Sequence, residues 1–470
     1  MDEEYSIPPC AIQALRADGF EPDTAMQARV REWFGWLVAD NAWYDGDATV
    51  DGRRVKRHRM SLHPARRVCR EWTSCLLDDD GTRVSVQAPD DGDASGYDRA
   101  DAALSEWCAG TGFLATAQRA VERSFALGTG AIALWFDVGE DAVRIAPRRY
   151  DARMIVPLSW SDDAVTECAF CTQTVIGGRV LDQLQEHVFD AETGTYHIVT
   201  RLFDDGHETA ADGVLSDFDT GIARPTFCVI RPAVDNVFAD NSAFGQSVFA
   251  DAVDAVKSVD NAFDSMNREI DATKVRVFLS DDLIDVDEKG RPKPFGDDSL
   301  FIRKLAGNGV DSYLQVSAPP IRIDALEKAL NIGLAELGDL TGFGQQYFRF
   351  DQSAGLKTAT EVSADNSAFF RNIQKHENQL RPALEGLLTA VLDCMRVHNG
   401  LDAPEDARAT VDFDDSIIAD THSEKNMMLA EVGSGVVPRW MYLVRFYGMS
   451  EADARAATGE DAPTAADEGI

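Results

Sequence analysis

Few residues of this 470-residue chain could do chemistry, and each has a plain structural competitor. Cys168 and Cys171 form a C-x-x-C pair, a spacing used by redox and zinc sites. They lie in ECAFCTQTVI, a stretch of strand character in which residues three apart face opposite sides of a sheet. There is no second such pair and no histidine at zinc spacing, so strand packing is the expected role. Asp91, Asp93, Ser95 and Gly96 open like a calcium loop. Its twelfth position is Ala102, where a bidentate glutamate is required, so an acidic turn is expected instead. Gly128 and Gly130 follow a helical stretch and precede a strand-like one, the reverse of a dinucleotide fingerprint, and read as a turn. His58 and His63 are five residues apart and fit one helix face poorly. No GxxxxGK[ST], GxSxG or HExxH pattern occurs, so the reading assigns no catalytic, cofactor-binding or metal-binding residue and expects a protein that is not an enzyme.

Charge narrows the function further. Lys and Arg total 45 against 80 Asp and Glu, a formal net charge of −35. Such a chain repels phosphate and is not expected to bind DNA tightly, although a channel through which DNA slides without sticking stays compatible. Within this acidic background residues 53 to 70 form a basic run: Arg53, Arg54, Lys56, Arg57, Arg59, Arg66, Arg67 and Arg70. Nucleic-acid contact and pairing with acidic neighbours, within or between subunits, both fit it; its shortage of interleaved aromatics argues against base stacking. The eight cysteines are sparse and irregular, unlike a disulfide framework, and the acidic N-terminus MDEEYSIPPC has no apolar core of a signal peptide. No apolar run approaches the ~18 residues of a membrane span. A reducing, cytosol-like place of synthesis is expected.

The elements that must position these residues follow from periodicity. Residues 24 to 40 and 98 to 127 have helical apolar spacing, while 78 to 98 read as an Asp- and Gly-rich loop. From 131 to 235 the chain turns β-like, with a hairpin turn at Ala191-Glu192-Thr193-Gly194. Residues 246 to 272 predict the clearest helix, with Phe249, Val253, Val256, Val259, Phe263, Met266 and Ile270 on one stripe and Asp251, Asp254, Asp264 and Glu269 on the other faces. Residues 273 to 320 hold short strand-like pieces, 321 to 340 a second helix and 341 to 357 a loop. Thr358 and Glu361 fit a capping box opening a long helix to about His398, where Pro382 predicts a kink or two abutting helices. The acidic C-terminal end reads as frayed. The fold class is α+β.

Several segments, in this order, resemble the portal (minor capsid) proteins of long-tailed phages. They are ARRVCREWTSCLL (65 to 77), RSFALGTGAIALWFD (123 to 137), FGQSVFADAVDAVKSVDNAFDSM (244 to 266), TGFGQQYFRFDQSAGLKTATEVSADNS (341 to 367) with QKHE (374 to 377), DFDDSIIADTHSEKNMMLAEV (412 to 432) and RWMYLVRFYGMSEADA (439 to 454). The resemblance implies a portal fold: an α+β wing (1 to 240), a two-helix stem (241 to 272 and 321 to 340), a small α/β clip insert (273 to 320), a tunnel loop (341 to 357), a long kinked helix (358 to 400) and a helical crown with the C-terminal tail (401 to 470). The clip sequence is not distinctive, and the crown is short.

The resemblance also implies a ring, usually of twelve copies, at the portal vertex of a virion, made in the bacterial host cytoplasm and passing DNA during packaging and ejection. Implied partners are the terminase large subunit, a head-tail adaptor, the major capsid and scaffolding proteins, and double-stranded DNA held weakly and non-specifically; no cofactor and no membrane are implied. Gln345, Gln346, Arg349, Gln352, Ser353 and Lys357 are the expected channel residues of the tunnel loop, and Phe249, Val253, Val256, Phe263 and Met266 the expected packing residues of the stem. The alternative is another ring-forming head-tail connector component of the virion.

Overall fold

The computed structural model describes residues 7–50, 53–78, 81–88, 94–139, 143–161, 164–211, 213–274, 276–280, 301–304, 314–317, 320–350, 359–413, 428–429, 431–434, 436–447, 449 and 451–459. Helices α1 (Pro9–Ala17) and α2 (Thr24–Val38) come first, the second opened by Asp23, whose carboxylate accepts the Met26 amide. Strands β1 (Asp45–Val50) and β2 (Arg53–His58) form a hairpin that leads into α3 (Pro64–Leu76). The helical spacing over 98 to 127 resolves into two helices, α4 (Ser95–Thr111) and α5 (Phe113–Leu127). Gly112 breaks them, because its left-handed φ of +62° ends one helix and opens the next. The stretch expected as loop at 78 to 98 carries a strand, β3 (Arg83–Val86), for which local pattern gives little signal.

Two sheets are layered outside the helices. The smaller has the order β12-β4-β5, from β4 (Gly130–Val138), β5 (Val143–Asp151) and β12 (Phe227–Ile230). The larger runs β10-β9-β8-β7-β6, with β6 (Ile155–Ser161), β7 (Ala164–Ile176), β8 (Arg179–Asp190), β9 (Thr195–Asp204) and β10 (His207–Thr209), and β11 (Asp217–Asp219) pairs β9. The expected turn at 191 to 194 joins β8 to β9. Alternation assigns each face a partner. Ile132 and Leu134 of β4 pack into the large helical core with Val121 and Phe125 of α5, while Ala131 and Ala133 meet Cys168, Phe170 and Tyr196 between the sheets. On its far side the larger sheet presents Ala169, Cys171 and Leu184 to Ala11 and Leu15 of α1. Cys168 and Cys171 therefore sit on opposite faces of β7, in different cores, as free buried thiols.

The chain returns across the Gly128–Gly130 turn before its long helices. A Cβ on Gly128 (φ +79°) would lie 2.3 Å from the Gly245 carbonyl oxygen, and the Val248 amide donates to the Phe125 carbonyl at 3.0 Å. That crossing delays the helix expected from 246. Residues 246 to 249 are buried irregular chain, a 3-10 turn covers Ala250–Ala252, and α6 spans Val253–Ala272. Short strands β13 (Arg276–Ser280), β14 (Phe301–Lys304) and β15 (Leu314–Ser317) form one three-stranded sheet before α7 (Ile323–Leu340). Helix α8 (Ala359–Asn399) is continuous through Pro382, so the alternative of two abutting helices does not hold; Thr358, the expected cap, lies outside the described residues. Strand β16 (Ala409–Asp412) then pairs β3, and helices Arg439–Tyr447 and Glu451–Thr458 end the described chain. The chain is α+β, as the sequence indicates.

Gly128→Ala should destabilise by at least about 2 kcal/mol in denaturant unfolding, since strained φ and a backbone clash add. Gly110→Ala, inside α4 with nothing within 4 Å of the added Cβ, should be neutral or stabilising by about 0.5–1 kcal/mol. Equal effects at the two positions would contradict the close crossing.

Candidate functional site

By the resemblance above, α6 and α7 are expected as the stem and the loop after α7 as the tunnel loop. Helix α6 is embedded along one side: Ala255, Val256 and Val259 are buried, and Gly333 of α7 comes so close that a Cβ there would lie 3.2 Å from Val259 Cγ2. Of the expected packing residues, Phe249 is fully buried but precedes the helix, Val256 is buried, and Val253, Phe263 and Met266 are partly buried. Burial fades toward the insert, where Ile270 and Ile323 are 41% and 45% exposed. At that end Arg322 clamps α6, its guanidinium bonding both carboxylate oxygens of Glu269 at 2.9 and 2.7 Å and its backbone amide adding a third bond at 2.9 Å. These bonds from Arg322 hold the Glu269 pKa below the usual carboxylate value.

A second feature of α6 escaped the sequence reading. Asp260 and Asp264, one turn apart, are both buried, although Asp264 was expected on an outer face. Asp260 accepts the Tyr44 hydroxyl at 2.6 Å, the Ser61 hydroxyl at 2.7 Å and the Leu62 amide at 2.8 Å. Asp264 pairs with Arg57 and accepts the Met60 amide. Burial raises the Asp260 pKa against the lowering effect of these donors, and burial, then Asp260, raise that of Tyr44. The signal was available as two aspartates at i and i+4 beside an apolar stripe, but their donors lie some 200 residues away.

These bonds also locate much of the basic run. Arg57 points in to Asp264, Arg54 pairs with Asp47, Arg59 stacks over Trp43 and donates to its carbonyl, and Arg67 lies 5.1 Å over the Phe348 ring. Lys56, Arg66 and Arg70 stay exposed, and no ion pair joins them to a described residue.

The loop is pinned back onto the body over its first ten residues. The Trp72 indole donates to the Thr341 carbonyl at 3.1 Å and packs on Phe343 with ring centroids 4.4 Å apart; Asn372 donates to the Gly342 carbonyl at 2.9 Å. Phe343 and Phe348 are buried, Tyr347 donates to Glu71 at 2.9 Å, and the Phe350 amide donates to Asn331 at 3.0 Å while its ring is 60% exposed. Phe348 is thus an anchor and Phe350 is not. Gln345 and Gln346 are exposed, and Arg349 is partly buried with a 3.3 Å bond to Gln346. Gln352, Ser353 and Lys357 lie outside the described residues.

Among the described residues no group of three or more His, Cys, Asp or Glu is arranged to hold a metal ion, and no helix is long and apolar enough to cross a membrane. Burial pushes His187 and His376 down to about 3, which keeps both neutral at ordinary pH. Asp91 and Asp93 lie outside the described residues, and Ser95 and Gly96 open α4.

Asp260→Ala should cost about 3 kcal/mol, because three donors lose their acceptor in a buried place. Asp254→Ala, on the exposed side of α6, should cost under about 0.5 kcal/mol. Thermal or denaturant melts decide; equal losses would remove Asp260 from the role assigned to it.

No curated protein sequence matches this chain. A chain in the virion of a native gene transfer agent (GTA) particle is similar at 12% identity and TM-score 0.44, with 92% of this chain and 93% of that chain covered. A chain in the neck of a native GTA particle computed with C12 symmetry is similar at 12% identity and TM-score 0.40, covering 85% and 90%. The family model described as phage portal protein, SPP1 Gp6-like, matches residues 37–462, nearly the whole of the described fold, and by this match the chain belongs to the phage portal protein family.

Proposed function

We propose that the chain is one subunit of a ring, twelvefold in the virion, that forms the channel at the capsid vertex for DNA packaging and ejection. The observation that carries the reading is the family match over residues 37–462, which takes in the helix pair α6 and α7 and the sheet between them. In this reading residues 1 to 240 are the wing, α6 and α7 the stem, 273 to 320 the clip, and 401 to 470 the crown and tail. The clip docks the terminase motor and then the head-tail adaptor. Major capsid and scaffolding proteins surround the ring, and synthesis takes place in the host cytoplasm.

The charge supports low-friction passage. Each copy carries −35, and a channel wall that shares this balance would repel phosphate, whereas every retained Lys–phosphate contact would hold the duplex in a salt-dependent way. The tunnel loop, 341 to 357, serves the narrowest point. Its anchors at Phe343 and Phe348 leave the neutral side chains of Gln345 and Gln346 exposed, which suits contact without retention. Gln352, Ser353 and Lys357 complete the loop in this proposal.

Negative-stain images of purified protein at high concentration should show rings with a central hole and a stem-and-wing side view. A strictly monomeric particle there, with no ring in virions carrying this gene, overturns the proposal. Pure protein should hydrolyse no ATP and cut no DNA, and deleting residues 280–315 should spare the wing fold but abolish terminase docking; normal docking would refute the clip assignment. Gln346→Lys should leave rings normal, raise DNA retention at low salt and reduce DNA packaged per head. Unchanged retention and packaging would mean the loop does not meet DNA.

A further inference from the structure

Copies that each carry −35 repel one another, and opposite charges meeting across the subunit boundary would offset that repulsion. Two exposed surfaces of this chain are matched for that purpose. The first is a groove of about 730 Å³ along the outward face of α7. Asp324, Glu327, Glu336 and Asp339 line it and outnumber the cations Lys328 and Arg349. Ile332 lies in the same groove and is 61% exposed, an apolar side chain in water amid acids. The second surface is what the intramolecular bonds of the basic run leave over. Lys56 of β2 and Arg66 and Arg70 of α3 are exposed, and none is joined by an ion pair to a described residue.

The two surfaces are different patches of the subunit, as a head-to-tail contact requires. Helix α6 touches both the chain around β2 and α7. Its Asp260 and Asp264 receive the chain around β2, from Arg57 to Leu62, whereas its Val259 meets Gly333 of α7, more than a quarter-turn away around the helix. The groove is lined by exposed Asp324, Ile332 and Asp339 of α7, by its buried Asn331, and by Gln345 and Arg349 of the loop that follows. On α3, Glu71 reaches Tyr347 of the loop next to α7, while Arg70 and Arg66 lie about 100° and 140° around the helix from it.

We infer that in the ring Arg66 and Arg70, one turn apart on α3 of one copy, seat in the acidic groove around Ile332 on α7 of its neighbour. The inference rests on the ring reading above. It adds which surfaces meet and predicts that the contact is charge-steered: the arginines form ion pairs with Glu327, Glu336 and Asp339, while their aliphatic stems cover Ile332.

A charge exchange tests it. In the full-length chain, Arg66→Glu with Arg70→Glu should lower the ring fraction at least tenfold in mass photometry or electron microscopy, and Glu327→Lys with Glu336→Lys should do the same. All four substitutions sit on exposed side chains, so the thermal midpoint of the monomer should hold in each variant. The chain with all four together should regain rings to within about threefold of the parent, because each reversed surface meets a reversed neighbour. If the parent forms rings and either pair of reversals leaves them intact, or the fourfold variant fails to recover, the pairing is wrong while the ring reading stands. If the parent itself forms none at any concentration or in virions, both fall together.

Discussion

The Trp72 indole is the point on which the helical half of the molecule converges. It is fully buried, with its ring against Phe125 of α5, Phe343 of the loop, and Phe369 and His376 of α8, and its N–H is used by the Thr341 carbonyl. A buried indole N–H must find an acceptor, and here the acceptor is the first residue after α7. The loop is therefore tied at its start to the same side chain that packs α3 on α5 and α8. His376, kept neutral by burial, completes the arrangement by accepting the Ala233 amide at 3.0 Å and so holds α8 against the segment leaving β12. Helices α3, α5 and α8, the loop after α7 and the segment after β12 are thus registered by one aromatic cluster.

A second tie, polar rather than apolar, joins the N-terminal hairpin to the helix pair. Asp260 and Asp264 lie inside the protein, where an unpaired carboxylate would be costly, and their donors come from residues 44 to 62. Such a network adds little net stability compared with apolar packing, but it favours one seating of the hairpin, because the two carboxylates are met there by a guanidinium, two hydroxyls and two amides together. Lys56 of the same hairpin is left exposed. Local pairing and the surface available to a neighbour are consequences of the same geometry.

The outer sheets follow a different logic. Their alternation builds two thin cores, one between the sheets and one between the larger sheet and α1, and the cysteines of the C-x-x-C pair divide between them. With both thiols buried, Cys168 held well above the ordinary thiol pKa and Cys171 raised too, neither is suited to redox or metal chemistry. The motif spacing was chemically suggestive, and the period of a strand removed the suggestion.

Much of this was legible in the residues themselves. The 3.6-residue stripe of α6, the alternation of β4, β7 and β9, the four-residue turn at 191 to 194 and the acidic balance are local or additive properties, and the ordered segments around Trp72, Gly128 and Phe343 carry the family likeness. What the sequence by itself did not decide is whatever depends on a distant partner. Gly112 splits a continuous apolar pattern because its backbone takes a left-handed turn there. Strand β3 exists because β16, more than 300 residues later, pairs with it. Helix α6 starts at Val253 rather than 246 because Gln246 to Phe249 are buried at the crossing with the Gly128 turn. Asp260 is inside and Ile270 outside, against their hydropathies, since burial is set by what packs on a residue and period reports only which way it faces.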